Sequence, residues 1–436
     1  MCLDSTVLQI KAMTIMGLSL QEECAFEDSS TGSYCESNTM DQKGWLFWIL
    51  WSPSLLSLMY AISVHIFLAG WHERKWTFGL FHSMKNLIWF GLTSIVLFLI
   101  HGHSIPLIVI GVLNWIGSLR FIYETHEDQV QGPKPTFGGE NSLEGKVYLI
   151  TGANAGIGKE TAIQLWEQGA TIILACRSKK RVEEAGFDVS SPNSRYLFLP
   201  CDLSSLSSVR KAVHLLKDSL KISKLHGLIN NAGVMLGTQS FTQEGQFDTM
   251  MACNHIGHFL LTQLLLPTFL SHKEDPRIII LTSCTYSLAT KGMNWDDLFC
   301  NKNIVKYTLF GQYAQTKLAN ILFGQELARR YSSMRVSLVH PGLVRTNVTS
   351  NMPWYLRYPN TAFSFILMVL QKTPPAGAYT SVYCATSPDI PSNGEALYYV
   401  NSQPQPILHP HAHTPEVRLF QHSSLHMSTY FYPFLV

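Results

Sequence analysis

The stretch VYLITGANAGIGKE, residues 147–160, decides the predicted fold. An apolar run ends at Thr151, glycines follow at Gly152, Gly156 and Gly158, and an apolar-periodic helical pattern begins after them. A glycine-rich turn between a strand and a helix lets backbone N–H groups approach a pyrophosphate, and the helix N-terminus favours its negative charge. The glycine spacing is wider than G-x-G-x-x-G. It fits either a phosphate cradle or a plain tight turn, and the rest of the chain favours the cradle.

Strand-like and helix-like segments alternate from Lys146 onward. Apolar strands that alternate with helices indicate a parallel sheet covered on both faces. We therefore predict an α/β fold, a Rossmann-type doubly wound parallel sheet of about seven strands preceded by an N-terminal transmembrane helical region. The helix between Arg177 and Arg195 is the weakest prediction, because Gly186 interrupts it. The predicted strands are VYLIT, TIILAC, RYLFLPC, KLHGLIN, RIIILTS, RVSLVH and ALYYV.

Composition narrows the class of protein. Charged residues make up 14% of the 436-residue chain and hydrophobic residues 46%, whereas soluble domains carry about 25% charge. The formal net charge is +2, and no basic stripe indicates a nucleic-acid partner. The nine cysteines form no C-x-x-C pair, so we predict no metal site and expect reduced thiols in a cytosol-facing domain.

The chain divides into five regions. Residues 1–44 are predicted to be a disordered polar tail, and 45–122 a transmembrane region. A Pro- and Gly-containing linker, 123–145, leads to a catalytic domain at 146–400. Residues 401–436 form a C-terminal extension whose histidines we interpret as part of a solvated tail or a substrate-lid edge rather than a metal site.

Three apolar segments make up the transmembrane region. Residues 45–69 carry no formal charge and begin with tryptophans that are typical of a membrane interface. Residues 87–100 and 105–122 are predicted to form one of three arrangements: one long span, a two-helix hairpin or a re-entrant segment. Basic residues in the loop 70–85 predict that it faces the cytosol. A hairpin would then return the catalytic domain to the cytosol, whereas a single span would place it in the lumen, and we favour the hairpin.

Further candidates for a dinucleotide site follow the next strands. Arg177 ends the second strand where NAD-preferring enzymes usually hold a carboxylate, and a guanidinium suits a 2′-phosphate. Asp202 follows the third strand, where its side chain can bond an adenine amino group. After the fourth strand, Asn231, Ala232 and Gly233 let the backbone lie against a cofactor. These residues favour NADP(H), with NAD(H) possible.

YAQTK provides the reactive groups. Tyr313 and Lys317 are four residues apart and share one helix face. A phenol with a pKa near ~10 is a poor base at neutral pH, and we expect the nearby ammonium, helped by an oxidised nicotinamide, to lower that pKa. Ser283, after the fifth strand, either holds the substrate oxygen or caps a turn, and Asn254 is either a packing amide or part of a proton path. In HPGLVRT, after the sixth strand, Thr346 can bond the nicotinamide carboxamide.

Together TGANAGIG, CDLSS, NNAGVM, the Asn254 helix, Ser283, YAQTK and HPGLVRT resemble the short-chain dehydrogenase/reductase family over roughly residues 146–400. GANAGIGKETA and NHIGHFLLTQLLLP resemble its retinol dehydrogenase-like branch. The resemblance implies Tyr313 as acid/base, Ser283 as oxygen anchor, Lys317 as phenol activator and ribose ligand, and Asn254 as support of the proton relay. It implies cofactor-binding residues Thr151, Gly152, Asn154, Gly156, Ile157, Gly158, Arg177, Asp202, Leu203, Asn231, Ala232, Gly233, Tyr313, Lys317, Pro341, Gly342, Val344 and Thr346.

The function expected from this resemblance is a membrane-anchored oxidoreductase that interconverts a lipophilic alcohol and its aldehyde or ketone. Retinoids, polyprenol- or dolichol-type alcohols and steroids are the expected substrates. The expected location is the endoplasmic reticulum, with the bilayer as a partner and the catalytic domain in the cytosol. Thr282 and Tyr286 stand where relatives often have Ser and His. The alternative is a catalytically silent nucleotide-binding scaffold or redox sensor that acts through protein interaction.

Overall fold

A computed structural model describes residues 131–135, 142–243, 247–271, 274–297, 306–345 and 371–410. A single sheet lies at the centre of this part of the chain. Its strands are β1 (Val147–Thr151), β2 (Thr171–Cys176), β3 (Tyr196–Pro200), β4 (Gly227–Asn230), β5 (Arg277–Leu281), β6 (Arg335–His340), β7 (Leu397–Val400) and β8 (Gln403–Gln405).

The strand order is β3-β2-β1-β4-β5-β6-β7-β8. Strands β1 to β7 pair in parallel, and β8 is antiparallel to β7. The predicted parallel α/β sheet is therefore confirmed, and the structure adds an eighth strand. The turn into β8 places Asn401 and Ser402 at φ of 51° and 61°, a left-handed pair typical of two-residue hairpins. The sheet thus extends past residue 400, the predicted end of the domain.

Helices cover both faces of the sheet, as the apolar strands require. On one face α3, α5 and α6 enclose a core that contains Leu149 of β1. On the other face α1, α2 and α7 enclose a second core that contains Ile150 of the same strand. The helices are α1 (Gly156–Glu167), α2 (Lys179–Glu184), α3 (Leu206–Asp218), α4 (Thr249–Met251), α5 (Gly257–Leu270), α6 (Leu309–Arg330) and α7 (Pro374–Thr386).

Two helical predictions differ from the structure in their detail. The long helix around Asn254 is interrupted by a π-turn, Ala252–Ile256, between α4 and α5. Such single-turn π segments often mark functional sites. Helix α2 is short and ends before Gly186, whose φ of +92° takes the chain out of the helix.

The predicted tail and apolar segments, residues 1–122, lie outside the described residues, as do residues 411–436. Within the part of the chain that the structure describes, no helix combines the length and the apolar character that a membrane crossing requires. Of the predicted linker, residues 131–135 and 142–145 are described, and Gln131 is buried.

Candidate active site

The glycine-rich turn joins β1 to α1. Gly152 and Gly156 have φ of +66° and +55°, a region that side-chain-bearing residues rarely occupy. Ala155 occupies the N-cap of α1 without a side-chain cap, and the first turn of α1 carries no acidic residue. The first backbone N–H groups of this helix therefore receive no acceptor from the N-cap side chain, as an anion-binding terminus requires.

At Gly158, the third glycine of the turn, there is no room for a side chain. A Cβ on Gly158 would collide with the Asn231 amide nitrogen and lie 2.6 Å from the Gly152 carbonyl oxygen. A Cβ on Gly152 would lie 3.0 Å from Ala232 Cα. The three predicted glycines thus bring β1, α1 and the end of β4 into contact. The shape and polarity of this cradle fit the pyrophosphate of a dinucleotide.

Thr151 connects the cradle to the strand beside it. Its Oγ1 accepts hydrogen bonds from the backbone nitrogens of Asn231 (2.9 Å) and Ala232 (3.0 Å), and its carbonyl accepts from Asn231 Nδ2 (2.7 Å). The same Oγ1 lies 2.8 Å from Nε2 of His258. The ends of β1 and β4 are consequently held together through one hydroxyl group.

His258 is a site residue that the sequence reasoning missed. Its Nδ1 lies 3.1 Å from the carbonyl oxygen of Asn254. Because a carbonyl only accepts, Nδ1 carries the proton and Nε2 accepts from the Thr151 hydroxyl. Burial lowers the pKa of His258 to about 3, so the ring stays neutral in this tautomer. The available signal was a polar side chain one turn after Asn254 in an apolar helix.

Asn254 lies in the π-turn and is fully buried. Its Oδ1 accepts from the Val234 backbone nitrogen (2.7 Å), and its Nδ2 donates to the Val234 carbonyl (2.9 Å) and to Thr316 Oγ1 (3.2 Å). The side chain thus holds the segment that follows β4. Its own carbonyl faces Asn320 Nδ2 at 3.1 Å. Asn320 is the second residue that sequence reasoning missed, and it also reaches the Leu281 carbonyl at 3.3 Å.

The Tyr313–Lys317 pair lies near the N-terminus of α6. Lys317 Nζ is 5.4 Å from the centre of the Tyr313 ring and donates to the Leu281 carbonyl at 3.1 Å. Burial lowers the pKa of Lys317 to about 8. Burial also raises the pKa of Tyr313, whereas the predicted lowering requires Lys317 together with an oxidised nicotinamide. The reason for the raised pKa is the apolar cluster of Met235, Met250 and Leu309 against which the phenol packs.

Ser283 follows β5 and begins a 3-10 turn, Cys284–Leu288. Its Oγ accepts from the Thr285 backbone nitrogen at 3.3 Å, so Ser283 does serve as a cap. This turn packs against α6, the helix of Tyr313. The hydroxyl stays half-exposed and keeps a donor for an oxygen of a bound molecule.

The loop after β6 lies against both the cradle and α7. Gly342 has a φ of +88°. Val344 and Ile157 both lie against Gly377 of α7. A Cβ on Gly377 would be 2.8 Å from both Val344 methyl groups and 3.3 Å from Ile157 Cγ1. Pro341 opens this loop after His340. Thr346, the predicted carboxamide ligand, lies outside the described residues.

The remaining predicted ligands lie after β1, β2 and β3. Arg177 is exposed, and Asn154 in the glycine-rich turn is half-exposed. Asp202 Oδ1 accepts from the backbone nitrogen (2.9 Å) and hydroxyl (2.7 Å) of Ser204, and Leu203 is buried. All these residues follow the carboxyl ends of parallel strands, the edge at which open α/β sheets bind ligands.

Comparison with known proteins agrees with this arrangement. The family model described as short chain dehydrogenase matches residues 146–294. Retinol dehydrogenase 14 of Mus musculus is 36% identical over 299 residues, which cover 65% of this chain and 85% of that relative. The chain belongs to the short-chain dehydrogenase/reductase family. Polyprenol dehydrogenase of Homo sapiens is 35% identical over 263 residues, which cover 58% of this chain and 76% of that protein.

A solved structure agrees with the fold. An uncharacterized protein from Mycobacterium Paratuberculosis is 27% identical, with a TM-score of 0.50, and the match covers 67% of this chain and 97% of that one. Within the short-chain dehydrogenase/reductase family, the chain falls in the retinol dehydrogenase-like branch and is an oxidoreductase. Among the described residues, no group of three or more His, Cys, Asp or Glu side chains can hold a metal ion.

Proposed function

We propose that this protein is a membrane-anchored, NADP(H)-dependent oxidoreductase that interconverts a lipophilic alcohol and its aldehyde or ketone. The observation that carries the proposal is the position of Tyr313 and Lys317. Lys317 is hydrogen-bonded to the last residue of β5, and a Cβ on Gly233 would lie 3.8 Å from its ammonium. The pair therefore adjoins the segment after β4 that packs on the glycine cradle.

The chain's own residues divide between binding and proton transfer. The cradle at Gly152, Gly156 and Gly158 would hold the pyrophosphate, and Asp202 the adenine end. Arg177, exposed at the end of β2 between Cys176 and Ser178, would bind a 2′-phosphate and so favour NADP(H). When bound, the coenzyme supplies or accepts the hydride at its nicotinamide ring.

Tyr313 would move the proton. Its raised pKa keeps the phenol protonated at neutral pH, the state that donates to a carbonyl oxygen during reduction. In the oxidative direction, positive charge from Lys317 and from an oxidised nicotinamide would stabilise the phenolate. Ser283 would hold the substrate oxygen, and Asn254 would keep the segment at Val234 in place.

Two observations support a lipophilic substrate. The relatives include a retinol dehydrogenase and a polyprenol dehydrogenase. Large apolar side chains are also exposed after β5 (Leu288, 54%), at the start of α6 (Phe310, 43%) and after β6 (Leu343, 58%). Leu288 ends the turn that begins at Ser283, and Phe310 lies in the first turn of α6, three residues before Tyr313, so exposed apolar side chains belong to the same two elements as the reactive groups.

The membrane part of the proposal rests on the apolar segments 45–69, 87–100 and 105–122. If these segments form a hairpin in the endoplasmic reticulum membrane, the catalytic domain would lie in the cytosol. The sequon at Asn347 tests the side directly. We expect Asn347 of the full chain to remain unglycosylated, with no mobility shift on endoglycosidase treatment. A shift that Asn347→Gln abolishes would place the domain in the lumen.

The activity is tested with detergent-solubilised full chain, NADPH or NADH, and a panel of retinal, polyprenal and ketosteroid substrates. Product alcohols are quantified by chromatography. Tyr313→Phe removes the proposed proton donor and should lower turnover by about 10²–10⁴-fold.

The matched control is Tyr331→Phe, at the other end of α6 and roughly 27 Å away along the helix. This variant should turn over like wild type. Absence of turnover by wild type on the whole panel, or equal activity of Tyr313→Phe and wild type, would exclude the proposed activity and leave the scaffold alternative.

A further inference from the structure

Gln131, in the segment that precedes the first strand, reaches a distant part of the domain. The residue is 6% exposed. Its Oε1 accepts from the backbone nitrogen of Thr373 (2.9 Å) and from the Thr373 hydroxyl (3.0 Å), and its Nε2 lies 3.4 Å from the Gln371 carbonyl. A residue of the predicted linker thus binds the chain segment just before α7.

These contacts complete the N-terminal cap of α7. Thr373 is the N-cap, and its Oγ1 accepts from the Ala376 backbone nitrogen at 3.4 Å. In an ordinary capping box, a Glu or Gln three residues after the N-cap bonds back to the N-cap backbone N–H. Ala376 occupies that position and cannot do so. Gln131, 242 residues earlier in the chain, provides the missing acceptor.

The capped segment is itself hydrogen-bonded to the loop after β6. The Lys372 backbone nitrogen donates to the Leu343 carbonyl (2.7 Å), and the Arg345 backbone nitrogen donates to the Lys372 carbonyl (3.0 Å). The Lys372 side chain lies over Gly342, where a Cβ would be 2.9 Å from Lys372 Cε. Displacement of residues 371–373 would therefore displace this loop as well.

Lys372 and the segment of Gln131 and Gly132 also contact the β7–β8 turn. Lys372, 3% exposed, donates from Nζ to Asn401 Oδ1 at 2.7 Å. Gly132 has a φ of +78°, and a Cβ there would lie 3.1 Å from Asn401 Cγ. Residues 131–132 and Asn401 accordingly hold Lys372 and Thr373 from two sides.

We propose that Gln131 is a positioning residue for the loop after β6. It caps α7 from the amino-terminal side, holds residues 371–373, and through them keeps Leu343–Arg345 in the conformation that receives the coenzyme. The role in coenzyme binding rests on the proposed function. Residues 131–132 of the predicted linker then position the coenzyme loop rather than serving as a passive spacer.

The test compares three variants of the full chain. Gln131→Ala removes both the acceptor and the donor. Gln131→Glu keeps the acceptor for Thr373, and its charge is favourable beside the N-terminus of α7. Gln164→Ala is the matched control, because Gln164 Nε2 donates to the Pro375 carbonyl of α7 at 3.0 Å but does not contact residues 371–373. The readouts are amide hydrogen exchange without coenzyme, NADPH dissociation constant, and kcat at saturating NADPH.

In Gln131→Ala we expect the exchange of the Lys372 and Arg345 amides to accelerate, and NADPH to bind about tenfold more weakly, with kcat unchanged. Gln131→Glu keeps the acceptor for Thr373 but loses the donor to the Gln371 carbonyl, so it should restore most of both values, and Gln164→Ala should change neither. The proposal would be overturned if the Lys372 and Arg345 amides of Gln131→Ala exchanged at the wild-type rate. It would also be overturned if exchange became faster by the same factor over the whole sheet. Unchanged NADPH affinity alongside faster local exchange would overturn it as well.

Failure of the proposed function gives a different result. Wild-type protein would then not bind NADPH at all, whereas exchange at Lys372 and Arg345 would still respond to Gln131→Ala. The two outcomes are separable within one set of samples.

Discussion

Oγ1 of Thr151 lies 2.8 Å from Nε2 of His258, which joins the end of β1 to the helix that follows Asn254. Since the His258 ring is neutral and donates through Nδ1 to the Asn254 carbonyl, the strand of the glycine cradle and the π-turn are linked through one imidazole. Neither residue needs to touch a substrate for this link to matter. It sets the distance between the cradle and the turn of Asn254.

Thr151→Val should be strongly destabilising, because it leaves the half-buried Ala232 backbone nitrogen and Nε2 of the buried His258 without their partner and removes one of the two acceptors of the Asn231 nitrogen. We expect a loss of about 3 kcal/mol, or roughly 5 °C in the melting temperature of the α/β domain. Thr161→Val is the matched control, since Thr161 Oγ1 donates only to the Ile157 carbonyl one helical turn earlier. The melting temperature of His258→Leu should lie between those of the two threonine variants. Equal melting temperatures for the two threonine variants would refute this account of Thr151.

Gly158→Ala should disrupt the cradle, because the added methyl group meets the Asn231 amide and the Gly152 carbonyl. We expect NADPH binding to weaken by about a hundredfold or more, together with a lower melting temperature. Gly233→Ala separates the two effects. Its Cβ would lie 3.6 Å from Asn254 Oδ1, an ordinary contact, so the fold should keep its stability while coenzyme affinity falls. Calorimetry measures the NADPH affinity, and thermal denaturation measures the stability. A Gly158→Ala variant with wild-type stability and wild-type NADPH affinity would contradict the steric argument.

Arg177→Gln should change the coenzyme preference. A hydrogen bond to a charged group contributes about 1.5–3 kcal/mol, so kcat/KM for NADPH should fall by roughly 10–100-fold, while kcat/KM for NADH stays unchanged. Lys180→Gln, on the neighbouring exposed surface of α2, is the control and should alter neither value. Equal losses with both coenzymes would indicate that Arg177 acts through the fold and not through a 2′-phosphate.

Coenzyme affinity should depend on pH through Lys317. Its pKa is lowered to about 8, so the ammonium is present below pH 8 and is lost as the pH rises above it. If the ribose is bound by the ammonium, the NADPH dissociation constant should be flat below pH 8 and rise up to about tenfold by pH 9.

Lys317→Met should bind more weakly and lose this slope. Burial also lowers the pKa of Lys372 to about 8, so Lys372→Met is the required companion variant. A slope that survives in Lys317→Met and disappears in Lys372→Met would assign the titration to Lys372.

The parallel sheet was predictable because its strands are apolar on both faces. Leu149 faces one core and Ile150 the other, and this arrangement appears in the sequence as an unbroken apolar run. Strand β8 was not predictable, because its residues Gln403–Gln405 are exposed and are held by pairing with β7. The π-turn at Asn254 was hidden as well, since no glycine or proline interrupts residues 248–256 to mark a change in the helix.

The residue types of the site were predictable, but their interactions were not. The spacing of Tyr313 and Lys317 places them together, yet the pKa of Tyr313 depends on burial against side chains far away in the sequence, among them Met235 and Met250. His258 is visible in the sequence only as a polar residue in an apolar helix. Gln131 gave no signal, because its partner lies 242 residues further along the chain.

The β7–β8 turn and the residues after it have a consequence for the biogenesis of the protein. Asn401 accepts from Lys372, the Leu408 backbone nitrogen donates to the Tyr286 hydroxyl (3.2 Å), and His409 Nε2 lies 3.0 Å from the Ala289 carbonyl. Contacts of such long sequence separation form late and slowly in folding. A chain on the ribosome can build the cradle early, but it can order the turn that carries Ser283 only after residue 409 has emerged. Because Asn401 also holds Lys372, which lies against the coenzyme loop, we expect the nascent protein neither to bind nucleotide tightly nor to turn over substrate until these residues have emerged.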